Sequence, residues 1–518
     1  MRPQITPHAD RQPLTRALKA VLILAGSAFA LWLLTASLGG AAIVFDPSGW
    51  FRSLDDEGAL NAVGNTAEVV AAVLAIAITV VAIVVELAAT RYSHLITRLF
   101  MREPVNMVVL GLFLITTIQC VWTTVTFDQA RHDALLPHAG VIVTFALVTV
   151  SLLCLLPYIY FVFTFLSPIS VIERICRNAV SAMRRIGADV EAAQRQVLAA
   201  VDELQDVSRG AIEQGDRSIA MSGINGMTAI VYDYTAIRAT LPDPWYEISD
   251  AITRDPDFIA LTDDSVDQVA ADRIWLETKV FRQLYSLMSQ SAGHARDVAN
   301  LIGINTSLVA RDLGGDDPAL LRLCVRAFNS YLRATINARD ARTAYYLMDQ
   351  YRDVAEHYLA NDGGALALEI AGYFKLYGQT AHQNGLSFLL DAAAYDVVHL
   401  IEVAVAAGSP CVDGLLSVLL ELDQEIREEN QEDSLLGVRR SQIQLATLFL
   451  KLGDDVRVAR IVADLKAERL SRLKRLRHGL ENEHRPQYWE LTDRGANFSY
   501  LEPDRRRYLE PLFERLGV

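Results

Sequence analysis

The chain lacks the short signatures that mark the common catalytic sites. There is no Gly-rich phosphate loop of the Walker type, no Gly-x-Gly-x-x-Gly, no Gly-x-Ser-x-Gly, no His-Glu-x-x-His and no Cys-x-x-Cys. The expectation is therefore a protein that is not an enzyme and needs no cofactor. Cysteine is scarce: Cys120 and Cys154 lie in apolar runs, while Cys176, Cys324 and Cys411 stand alone. That spacing offers neither a disulfide framework nor a thiolate zinc site, and it suits a reducing compartment. The ten histidines do not cluster, and a short wet loop accounts for His132, Asp133 and His138. Positive charge is also short, with 48 Lys and Arg against 62 Asp and Glu. The first 168 residues are nearly balanced, at nine against ten, so the acidic excess belongs to the rest. Such a field repels phosphate backbones, and no nucleic-acid partner is expected.

Long apolar runs are missing after residue 168. Before it there are four, near Ala17–Leu38, Val69–Ala89, Val105–Phe127 and Ala139–Leu166. Each is about the ~20 residues that a helix needs to cross ~30 Å of hydrocarbon. A mean hydropathy of +0.21 in a chain that is one-fifth charged fits a membrane block joined to a polar one. The first run is too long for a signal-peptide core and has no small-residue cleavage site before Phe45, so it reads as an anchor. Arg2, Arg11, Arg16 and Lys19, then Arg91, Arg98 and Arg102, then Arg174, Arg177, Arg184 and Arg185 mark alternate ends of the runs. Basic residues stay on the cytoplasmic side, so both termini are expected there.

Asn65 with Glu68 three residues later has the form of a capping box, and neither Gly nor Pro follows until Pro104. One helix from Thr66 to about Arg102 is expected, overshooting the bilayer. Along it Ala71, Ala75, Thr79, Ala82 and Glu86 make a small-residue stripe that ends in a carboxylate. Two roles fit: close helix packing, or the lining of an oligomeric pore with Glu86 at its inner mouth. The third run carries Thr116, Gln119, Thr123 and Thr126 at helical spacing, with the same choice between interhelical hydrogen bonds and a conduction path. Pro157 in the fourth run removes one backbone bond and is expected to kink it.

The stretch from about Ala75 to Thr124 resembles the bacterial membrane-protein family known as domain of unknown function twenty-two fifty-four. Leu87, Ala88, Tyr92, Ser93, Phe100, Met101, Arg102, Asn106, Val109, Leu110 and Gly111 carry the resemblance, with a fainter echo at Ser222–Asn225. His94 stands where that family usually has proline, and Thr90 where it often has serine. The resemblance implies a bacterial inner-membrane protein and brings no activity, cofactor or catalytic residue.

The remainder reads as helical, so the fold class expected is all-α. A tail over 1–16 precedes a four-helix transmembrane domain over 17–168, followed by a helical connector over 169–240 and an acidic loop over 241–270. A large cytoplasmic domain of antiparallel helix hairpins, irregular and solenoid-like, fills 271–518. The eight acids of the 241–270 stretch lack the alternate spacing and glycine of a calcium loop, and no metal is expected. In the hairpin near 328–359, Arg333, Arg339 and Arg342 are candidate contacts for an anion or a partner. The alternative is a buried network that pairs Arg333 with Asp340 or Asp349. Arg460, Lys466, Arg469, Arg472, Lys474, Arg475 and Arg477 form a basic stretch that either pairs with the domain's own acids or meets an acidic surface. Trp489, Glu490, Asp493, Arg494, Asn497 and Tyr500 read as a tail that docks on the preceding helices. The function expected is self-association or partner binding by a membrane-embedded homo-oligomer in contact with the lipid bilayer and with a cytoplasmic protein. The competing expectation is an ion channel or transport pore regulated by the cytoplasmic domain.

Overall fold

A computed structural model describes residues 56–91, 100–101, 103–129, 135–186, 189–360, 363–423, 435–490 and 494–518. The first apolar run lies outside the described residues, as do the N-terminal tail, Arg98, Arg102, His132, Asp133 and Asp493. The chain is all-helical among the described residues, apart from one isolated bridge between Gln487 and Ala496. It divides between Ile175 and Cys176 into two compact units.

The first unit holds α1 (Asp56–Arg91), α2 (Pro104–Gln129) and α3 (Leu135–Phe165), and the first turns of α4 (Pro168–Arg184). The stretches Asn61–Thr90, Pro104–Val125 and Val143–Phe165 are long and apolar enough to cross a membrane. Their inward faces meet around Val63, Val70, Phe113, Cys120, Val141 and Val148. Their outward faces carry Ile76 at 65% exposure, Val108 at 68% and Trp122 at 70%, an apolar surface that suits hydrocarbon rather than water. The helix expected to start at Thr66 starts at Asp56. Asn65 and Glu68 therefore sit in its interior, and the Thr66 hydroxyl donates one turn back to the Ala62 carbonyl at 2.6 Å. The capping-box pattern does not mark a helix start here, and one Gly64 in the helix interior costs only about 1 kcal/mol. The continuation past Arg91 falls on residues outside the described ones. Helix α3 runs on through Pro157.

The second unit starts within α4 and continues with α5 (Val190–Glu213) and α6 (Arg217–Ile237). Three short helices follow: α7 (Asp250–Thr253), α8 (Pro256–Ile259) and α9 (Asp263–Asp272). The longer α10 (Trp275–Ser291), α11 (Arg296–Leu313), α12 (Pro318–Asn337), α13 (Ala341–Leu359), α14 (Ala365–Gln383) and α15 (Phe388–Ala406) come next. Then α16 (Val412–Glu421), α17 (Leu436–Leu452), α18 (Asp455–Leu465) and α19 (Leu470–Asn482) lead to two C-terminal helices, α20 (Pro503–Arg506) and α21 (Leu509–Leu516). Aspartate starts many of them. Asp189, Asp216, Asp317, Asp340 and Asp454 each accept a backbone N–H of the first turn, worth about 1 kcal/mol apiece. From α10 to α17 most helices pack on the next and on the next but one: α11 on α12 and α13, α13 on α14 and α15, α15 on α16 and α17.

The acidic 241–270 stretch is built into this core instead of looping over the surface. Trp245 is fully buried against Trp275, with ring centroids 5.0 Å apart, and Ile252 and Phe258 are buried beside it. Helices α5 and α6 approach closely at Gly223, where a Cβ would fall 2.0 Å from the Ser208 hydroxyl. Asn225, one turn-face away, accepts a hydrogen bond from Asn305 at 3.0 Å. The Ser222–Asn225 segment thus owes its composition to helix packing.

Candidate functional site

In the first unit the two polar features expected of the spans separate. Ala71, Ala75, Thr79, Ala82 and Glu86 are all exposed on α1, while Val63, Val70, Val85 and Ala89 face inward. Thr79 satisfies its hydroxyl on the Ala75 carbonyl, 2.8 Å away. The α2 residues turn inward instead. The Thr116 hydroxyl lies 2.8 Å from that of Ser151, and Thr123 lies 3.0 Å from Thr144, so both pairs tie α2 to α3. Half-buried Gln119 donates to Thr123 at 3.2 Å. The side chain of Thr126 is outside the described residues.

Beside the start of α2, several residues that carry the family resemblance do structural work. Phe100 is buried edge-on against Phe165, with centroids 5.5 Å apart. Buried Asn106 donates to the Phe100 carbonyl and closes the turn before α2. Arg174 lies 3.8 Å over the Phe165 ring and 3.7 Å from Glu103. An arginine on an aromatic face with a carboxylate beside it is a stable anchor.

In the second unit Arg333, Arg339 and Arg342 are exposed, and Arg339 takes a left-handed backbone conformation at φ 56°. The expected pairing of Arg333 with Asp340 or Asp349 is replaced by other partners. Asp340 accepts from Thr343 and from the Gly293 N–H, and Arg296 lies 3.4 Å away. Burial alone would raise its carboxyl, but these bonds hold it below the usual range. Asp349 is taken by Arg352 at 2.8 Å and Arg494 at 2.9 Å. Within the basic stretch Arg460 holds Asp413, Arg472 holds Glu468, and Arg477 holds Glu481 and Glu510, all acids of the same unit.

Three buried charge clusters join residues that the sequence did not pair. Lys279, with no exposed surface, reaches Asp202 at 2.6 Å and Asp255 and Asp257 at 2.8 Å, pinning the acidic stretch to α10. Glu277 is equally buried, with Arg238 at 3.6 Å. Burial pushes its carboxyl up to about 7, against the pull of Arg238. Arg238 also holds Asp317 and donates to the Arg273 carbonyl at 2.9 Å, so one guanidinium joins α6, α10 and α12.

The third cluster engages the tail. Arg494, 3% exposed, pairs with fully buried Asp396 on α15 and with Asp349 on α13, and lies 4.4 Å over the Tyr345 ring. Arg352 shares Asp396 at 2.6 Å. Four residues on, Phe498 stacks on Tyr395 at 4.5 Å and on Phe388 at 5.9 Å. Gln444 of α17 donates to the carbonyls of Phe498 at 3.1 Å and Tyr500 at 2.8 Å. The docking expected of Arg494, Asn497 and Tyr500 is seen, whereas Trp489 is 64% exposed.

Apolar helices with outward hydrocarbon faces and hydroxyls bonded to one another define a helical membrane protein. Residues 16–226 match the family described as Predicted membrane protein (DUF2254). The match takes in both the Ala75–Thr124 stretch and the Ser222–Asn225 echo. No curated protein and no solved structure matches the chain.

Proposed function

We propose that the chain is a membrane-anchored interaction protein: four spans, counting Ala17–Leu38, in a bacterial inner membrane, with both termini cytoplasmic. Its second unit is then a solenoid-like array whose work is to hold protein segments, in self-association or in a partner complex. The observation that carries this reading is the grip on the tail, where α13, α15 and α17 together take one arginine, one aromatic ring and two backbone carbonyls of a non-helical segment. Arrays of paired helices present extended faces suited to that task. Crosslinking in native membranes followed by mass measurement tests it. The expected product is an oligomer of the chain or a complex with a second protein. A particle with the mass of one chain and nothing else attached overturns the proposal.

A pore remains the second reading, favoured by the outward stripe on α1. Its five residues are free of α2 and α3, and Glu86 would lend a ring of copies a cation-attracting mouth. Ion flux in liposomes that is reduced by Glu86→Gln would support it. Absence of flux from well-incorporated protein would refute it.

A further inference from the structure

The tail cluster has the anatomy of a recognition site rather than of a plain helix cap. An ordinary apolar cap would require neither a buried charge nor a side chain reading carbonyls. Here Asp349 and Asp396 set the charge, Tyr345 supplies a ring face for a planar cation, and Tyr395 with Phe388 makes an aromatic slot four residues further along. Gln444 reads main-chain carbonyls, which any sequence supplies. Fork-shaped pairing and stacking on an aromatic face are geometries that arginine fulfils and lysine does not.

We propose that this face of α13, α15 and α17 is a protein-binding groove closed in cis by the chain's own tail. The partner it fits is a segment of another protein with an arginine and, four positions later, an aromatic residue. The proposal rests on the second unit being an interaction array and adds the chemistry of what it binds. Because the tail is tethered, it competes at an effective concentration of about millimolar, so the groove of the intact protein is mostly filled. A partner gains entry by binding more tightly than that or by meeting a chain whose tail has been loosened.

A fluorescent peptide of residues 484–502 tests this in trans on the full-length protein in detergent. Binding to Arg494→Ala/Phe498→Ala protein is expected to be at least about a hundredfold tighter than to the wild type, where the tethered tail competes. A peptide with lysine in place of its arginine should bind at least about tenfold more weakly. If the double variant does not fold, Phe498→Ala alone keeps the buried ion pair and loosens the tail, and a smaller gain over the wild type is expected. A folded tail variant that binds no peptide, or that binds the lysine version equally well, overturns the groove while leaving the wider array proposal to its crosslinking test. Wild-type dimers that the peptide dissociates would assign the groove to a second copy of the chain and overturn the separate partner.

Discussion

Replacing Glu277 by glutamine should remove a pH dependence from the second unit. Glu277 is fully buried, and burial raises its carboxyl to about 7 from the 4.5 of an exposed glutamate, despite the nearby Arg238. Between these two values the folded protein holds a proton that the unfolded chain has released. Stability is then fully present below about 4.5 and is lost as pH rises through about 7. Each unit of that window removes about 1.4 kcal/mol, or about 3 kcal/mol across it. Glutamine keeps the shape and cannot ionise, so Glu277→Gln should gain about 3 kcal/mol relative to wild type between pH 4.5 and 8. Other buried acids such as Asp391 and Asp423, both pushed up to about 6 by burial, titrate in both proteins and cancel in the difference. Urea unfolding in detergent, followed by tryptophan fluorescence to which the buried Trp245–Trp275 pair contributes, compares the two proteins. Wild-type and variant curves that run parallel over this range would refute the assignment.

Lys279→Met should destabilise the protein by about 3 kcal/mol, because it leaves the buried Asp255 carboxyl without its partner; chemical unfolding of the two proteins checks it. Gly223→Ala should cost about 1–3 kcal/mol by driving its Cβ into Ser208, and Ser208→Ala on top of it should recover part of that loss, as a double-mutant cycle of melting temperatures will show. Thr116→Val should lower stability by only about 0.6 kcal/mol in a steric-trapping or SDS-unfolding assay, since hydroxyl pairs within membranes are weak.

The membrane-capable helices α1, α2 and α3 were legible because run length alone carries the signal, and the helical second unit because its apolar residues recur every three or four positions. Helix starts were harder. Asn65 and Glu68 imitate a cap inside a helix, whereas Asp317 and Asp454 are true caps. The acidic stretch misled because composition cannot show that Trp245 finds Trp275 thirty residues later. Ion clusters were hidden for a similar reason. Arg494 and Asp396 are 98 positions apart, and nothing local in either segment names the other. The exposed stripe on α1 could be found by spacing, but which way it faces is decided by the bulkier Val63, Val70 and Val85 opposite.

The two hydroxyl pairs between α2 and α3 also constrain how this membrane unit can move. Thr116 to Thr123 is seven residues forward on one helix, and Ser151 to Thr144 is seven backward on the other, so the helices run in opposite directions in a single register. A slide by one helical turn would break both pairs together and recover neither, because each partner position would then face a different residue. Piston-like translation of α2 against α3 would give up both pairs, about 1.2 kcal/mol together, whereas tilt or rotation of the two helices as one body keeps them.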